Sequence, residues 1–142
     1  MKHSFRYYAL FLLITASGLA GCSKGAISPE DQKANLLVGR WQLTQIDGGL
    51  SGQVHPADPA HRQEIVFDDN KQATFLHNGA VSNKARYVLF KANSFVNRRP
   101  QTFLAYGHRN GSEKEFIERL SPNELVIVED YTDGRGYYYT RQ

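Results

Sequence analysis

Four histidines, His55, His61, His77 and His108, lie beyond the first twenty residues and are the first candidates for chemistry. His55 and His61 share one loop, but their spacing fits no standard zinc motif and no second thiolate accompanies them. They read as solvated loop side chains. His77 alternates with Phe75 and is expected to face inward as a hydrogen-bonded core histidine. The acids Glu113, Glu115, Glu118, Glu124, Glu129, Asp130 and Asp133 crowd the last third. Most alternate with apolar neighbours, as the outward faces of strands do. Spacing alone selects no carboxylate pair of the kind that cleaves glycosides. No serine sits in a nucleophile elbow, and no glycine-rich phosphate loop occurs. The chain is therefore read as non-enzymatic, without metal or other cofactor. Hydrolysis at an unrecognised carboxylate or histidine site is the weakest alternative.

Cys22, the sole cysteine, differs because of what precedes it. Lys2 and Arg6 give the start positive charge, residues 7–14 are apolar, and residues 15–21 are small. A charged start, a short apolar stretch and a small-residue exit are the marks of a secretory signal. The apolar stretch falls far short of the roughly 20 residues a spanning helix needs. An exported chain with one cysteine forms no internal disulfide, and a thiolate attacks carbon well. Leu19-Ala20-Gly21-Cys22 resembles the lipobox of bacterial lipoproteins. That resemblance implies cleavage after residue 21, acylation of Cys22 and attachment to a membrane of the cell envelope through that lipid. Ser23, where an aspartate would retain an enteric lipoprotein, implies the outer membrane.

Without residues 1–21 the chain keeps 121 residues, enough for one hydrophobic core. The leader holds two of the 17 basic residues and none of the 14 acids, so net charge falls from +3 to +1. Nucleic acid is excluded as an expected partner, since most of the basic excess goes with the leader and no basic run remains. Residues 22–28 read as a lipid-anchored tether and 29–142 as one domain.

Any functional side chains must be positioned by short strands. Ser28-Pro29-Glu30-Asp31 predicts a helix start, with Ser as cap, Pro at the first position and acids at the positive end. The helix should end near Leu37, with Leu36 and Leu37 packed inward. Period-two patterning then predicts strands over 37–46, 64–67, 73–77, 86–90, 102–106, 115–120, 125–129 and 136–141. Asp68-Asp69-Asn70, Asn78-Gly79, Asn110-Gly111, Ser121-Pro122-Asn123 and Asp133-Gly134 supply the turns. Residues 48–62 and 91–101 are the two long connections. No helix is long enough for a parallel crossover. The fold class expected is all-β: a small up-and-down antiparallel barrel of about eight strands behind a short N-terminal helix.

Val38-Gly39-Arg40-Trp41, after a short helix, resembles the G-x-W signature of the lipocalins, and the strand order resembles small lipocalin-like lipoproteins of bacteria. The stretches around Phe67, Phe75 and Tyr87 and residues 120–125 are similar as well. The resemblance implies that Gly39 lets the chain turn closely under the barrel and Trp41 plugs its closed end. It also implies that an arginine near the end of the last strand packs across the tryptophan. Arg141 is the candidate and Arg135 the runner-up. There is no packed C-terminal helix after the last strand, and Asp130-Tyr131 only echoes the family's second motif. A shallow or filled barrel is therefore an open alternative to a deep cup.

Aromatic residues fall on several predicted strands. Tyr87, Phe90, Phe103, Tyr106 and Tyr139 are the candidate lining of an apolar pocket, with Phe116 and Tyr137 beside them, although most could equally be core. Arg86, Arg98 and Arg99 could meet an anionic headgroup at a rim, solvated turn charges being the commoner reading. The function implied is binding of a small apolar or amphipathic ligand. The alternative is an envelope module with a filled barrel and a protein partner.

Overall fold

A computed structural model describes residues 29–49, 52–107 and 115–142. Cys22 and the segments on either side of it, His108 and the Asn110-Gly111 pair lie outside the described residues.

Helix α1 spans Pro29–Leu37 and ends against Gly39, whose φ of 145° no helix continues. Leu37 is fully buried, whereas Leu36 is exposed, contrary to the expectation that both pack inward. Neighbouring helical residues point about 100° apart, so a short helix lying on a barrel end buries one of the two.

The nine strands are β1 (Gly39–Gly48), β2 (His55–Pro56), β3 (Gln63–Phe67), β4 (Gln72–His77), β5 (Ala80–Asn93), β6 (Pro100–Tyr106), β7 (Glu115–Leu120), β8 (Glu124–Glu129) and β9 (Arg135–Arg141). From β3 to β9 each strand pairs antiparallel with the next. β1 pairs with both β3 and β9, closing an eight-stranded barrel to which β2 adds a short edge piece. The closure runs from Trp41 opposite Arg141 to Gly48 opposite Arg135, with a bulge between Leu43 and Gln45.

Alternation sends one face of every strand inward. Trp41, Leu43, Ile65, Phe67, Ala73, Tyr87, Leu104, Ile117, Leu125, Ile127 and Tyr139 form the core with Leu37 of α1. Trp41 and Phe67 lie with Leu37 toward one end. Trp41 donates its indole N–H to the Leu37 carbonyl at 2.8 Å, which satisfies the only polar atom of that side chain.

Three connections differ from the sequence expectation. β1 begins at Gly39 and runs on to Gly48. β5 begins at Ala80, not 86, because the Asn78-Gly79 turn sets Ala80 directly opposite His77. A bulge between Phe75 and Leu76 shifts the register there, and Ser82, Asn83 and Lys84 are exposed, so residues 80–85 carry no alternating apolar signal. β5 also continues to Asn93, opposite Pro100, so the second long connection shrinks to residues 94–99. The first contains β2 and a 3-10 turn over Pro59–His61, which Asp58 caps by accepting the Ala60 N–H.

Candidate functional site

At the end of the barrel remote from Trp41 the interior opens into a cavity of about 480 Å³. Phe75 of β4, Tyr106 of β6, Ile127 of β8 and Tyr137 and Tyr139 of β9 supply its apolar wall. Phe75 and Tyr106 meet edge to face with centroids 5.2 Å apart. Gln63, His77, Asn83 and Glu115 bring polar groups to the same space. The result is an amphipathic cup: aromatic faces in the wall and a few polar groups among them.

Two hydroxyls of this wall, those of Tyr137 and Tyr139, are harder to ionise than a free phenol. Tyr137 donates to Glu129 at 2.8 Å; burial first, and then this carboxylate, push its pKa up to about 12. Burial raises Tyr139 further, and the negative charge of Glu115 adds to it. Outside the barrel beside this wall, Glu64 is buried and accepts two hydrogen bonds from Arg40, at 2.9 and 2.8 Å. The Arg40 fork holds its carboxyl below the usual range, against the opposing effect of burial.

Of the aromatic residues singled out from the sequence, the structure brings Tyr106 and Tyr139 to the cavity. Tyr87 points instead toward the closed half, edge-on to Phe67 at 5.1 Å, with its hydroxyl on the Asp68 carbonyl. Phe90 and Phe103 are corrections. They pair across β5 and β6 and stack at 5.5 Å, but on the outer face, because Leu89 and Leu104 beside them take the inward positions. Phe116 continues that outer row against Phe103.

His77 and Glu115 are also corrected. His77 is exposed at the mouth, where its ring lies parallel to that of His61 at 5.8 Å. His61 is bound to Asp58 at 2.7 Å and His55 is exposed on β2. No group of three metal-ligating side chains occurs among the described residues. Glu115 does not face outward, Asp130 is buried, and Glu129 bonds Tyr137 of the cavity wall; Glu113 lies outside the described residues. Phe116 turns outward and Ile117 inward, which puts Glu115 on the inner face two residues away. Phase from Ile117 and Leu104 would have found it, and alternation with Ala73 would have found Phe75.

At the closed end Gly39, Trp41 and Arg141 converge. The Arg141 guanidinium lies 4.2 Å from the centre of the Trp41 ring. It donates to the carbonyls of Leu36, Val38 and Pro122, which ties the end of α1 and the β7–β8 turn to the last strand. A Cβ on Gly39 would lie 2.1 Å from Arg141 Nη1. Glycine is needed there because the arginine occupies the space. Arg135 lies at the other end, its backbone N–H on Glu129.

Comparison of this chain with protein-family models, with curated proteins and with solved structures finds no match. The fold and site define a class by themselves: a closed, up-and-down antiparallel barrel, latched at one end and opening at the other into an aromatic, partly polar cup.

Proposed function

We propose that this chain is an exported lipoprotein whose lipocalin-like barrel binds a small amphipathic molecule without transforming it. Acyl chains on Cys22 hold it at the cell envelope, on the outer membrane, with the tether of residues 22–28 between lipid and barrel. The observation that carries the binding reading is the open cavity of about 480 Å³ with its aromatic wall. Sites for small molecules have this size and this mixture of apolar lining and few polar groups. Apolar parts of the ligand leave water against Phe75, Tyr106 and Ile127, each Å² buried being worth about 25 cal/mol. Gln63, Glu115 and the tyrosine hydroxyls orient its polar end.

Mass spectrometry of the full chain purified from a bacterial envelope tests both halves. A chain beginning at Cys22 and carrying acyl mass supports the anchor, and an uncleaved, unacylated chain refutes it. An organic extract holding one stoichiometric small molecule supports the carrier. Tyr106→Lys should abolish its retention, while Phe90→Lys on the outer face should leave it unchanged. An empty extract, from protein that also binds no apolar probe, refutes the carrier and favours a partner protein on the outer surface.

A further inference from the structure

The turn over residues 94–99 is built in an unusual way. Ser94 and Asp130 are both almost fully buried, and the Ser94 hydroxyl donates to Asp130 at 2.5 Å. The same carboxylate accepts the backbone N–H of Phe95 at 2.7 Å and of Val96 at 3.2 Å. Ser94 Oγ also accepts from Val96 and Asn97. Backbone bonds from Arg98 to Ser94 and from Ser94 to Arg99 close the loop, with Arg98 at a φ of 57°. A left-handed backbone at a long side chain is uncommon and persists where its surroundings impose it.

Asp130 follows β8 two residues after Val128, whose partner Phe116 faces outward. The turn is thus drawn back onto the outer face of the sheet, where Phe103 and Phe116 are buried. Its own apolar side chains do not join them. Phe95 is 55% exposed and Val96 51%, and the Arg98 guanidinium sits 4.8 Å from the Phe95 ring centre. Arg99 is adjacent, and residues 94–101 contain no acid. Val88 and Phe90 extend the exposed apolar surface along β5.

A rigid turn that hides its polar anchor and displays two apolar side chains beside two guanidinium groups matches a particular surface. Apolar tips enter the boundary between headgroups and acyl chains, while arginine forks meet phosphates. We propose that this turn docks on an anionic lipid bilayer, with Phe95 and Val96 inserted and Arg98 and Arg99 on the phosphates. The absence of acids in the turn and the presence of paired guanidinium groups favour phosphate-bearing lipid over a second copy of this chain. The proposal stands on the turn alone, independent of Cys22 and of the cavity.

The test uses the full chain with Phe95→Trp and, as a second position, Val96→Trp. Vesicles contain phosphatidylglycerol in phosphatidylcholine with brominated acyl chains. Trp41 is fully buried, so it adds a constant background that lipid bromine does not reach, and the single-Trp41 parent chain is subtracted. The emission of the new indole should shift to the blue and be quenched by bromine on anionic vesicles. On vesicles holding equal amounts of protein, adding Arg98→Asn, which tolerates the left-handed backbone, and Arg99→Gln should lower the ratio of inserted to free turns, read from bromine quenching, roughly thirtyfold, at about fivefold per basic residue. An indole that stays unquenched on vesicles carrying the protein overturns the proposal. So does a blue shift that tracks protein concentration without lipid, which would assign the turn to protein association.

Discussion

Replacing Gly39 by alanine sets a methyl carbon 2.1 Å from Arg141 Nη1, on a backbone with φ of 145°. Such a conformation costs a non-glycine residue about 1–3 kcal/mol. The methyl group must also displace the guanidinium. Arg141 makes three hydrogen bonds to carbonyls and one contact with the Trp41 ring. The residue is half-exposed, so each charge-assisted bond is taken near the low end, about 1 kcal/mol, with about 1 kcal/mol more for the ring contact. Arg141→Ala should then destabilise the barrel by about 4 kcal/mol. Gly39→Ala should cost about 5 kcal/mol, because it loses the same contacts and adds strain. If eviction of the arginine is the mechanism, the double variant costs about 5 kcal/mol, no more than Gly39→Ala alone, rather than the sum of about 9. Urea unfolding of the four chains, followed through Trp41 fluorescence, measures the cycle. Additive losses, or a Gly39→Ala cost under about 1 kcal/mol, would refute the account.

Asp130→Ala removes the carboxylate under the 94–99 turn and leaves the buried Ser94 hydroxyl without its acceptor. We expect a loss of about 3 kcal/mol and faster tryptic cleavage after Arg98, the bond after Arg99 being protected by Pro100; an unchanged cleavage rate would contradict the anchoring role. Glu64 has a carboxyl held low by Arg40, so its contribution is present above about pH 4.3, the unfolded value, and is lost as pH falls through the lower folded value. Glu64→Gln should flatten the acid limb of stability against pH, measured by denaturant midpoints. Tyr137, raised mainly by burial, and Tyr138, raised mainly by its bond to Asp47, both stand near 12. The unfolded chain ionises near pH 10, so their contribution is complete below about 10 and disappears as pH climbs toward 12. Tyrosinate absorbance should therefore rise together with unfolding, and Asp47→Asn should advance the part due to Tyr138.

Local chemistry made much of the barrel legible. Asp68-Asp69-Asn70 and Asn78-Gly79 are turn clusters wherever they occur, because these residues bond their own backbone or accept positive φ; in the structure Lys71, Asn78 and Gly79 take that conformation. Eight alternating stretches with only tight connections leave few topologies other than an antiparallel meander. Strand ends were less legible. Residues 80–85 and 91–93 carry no apolar period, since one run is polar and bulged and the other leaves the core.

The cavity was only half visible, for a physical reason. Leu89-Phe90, Phe103-Leu104 and Phe116-Ile117 are adjacent apolar pairs, and period two cannot say which member faces inward. Across these strands the packing chose the aliphatic member each time and placed the phenylalanines outside, Phe103 and Phe116 buried there and Phe90 exposed. That choice carried Glu115 into the cup. The turn itself depends on Asp130 meeting Ser94 across 36 residues of chain, a contact that leaves no local signal. What the sequence determined by itself was the all-β class, most of its turns, and a glycine, a tryptophan and a terminal arginine suited to meet. Tertiary structure alone decided which face of each strand lines the cavity and which loop lies on the outside. Those outcomes depend on closing the barrel, where side-chain volumes from all eight strands compete for one interior.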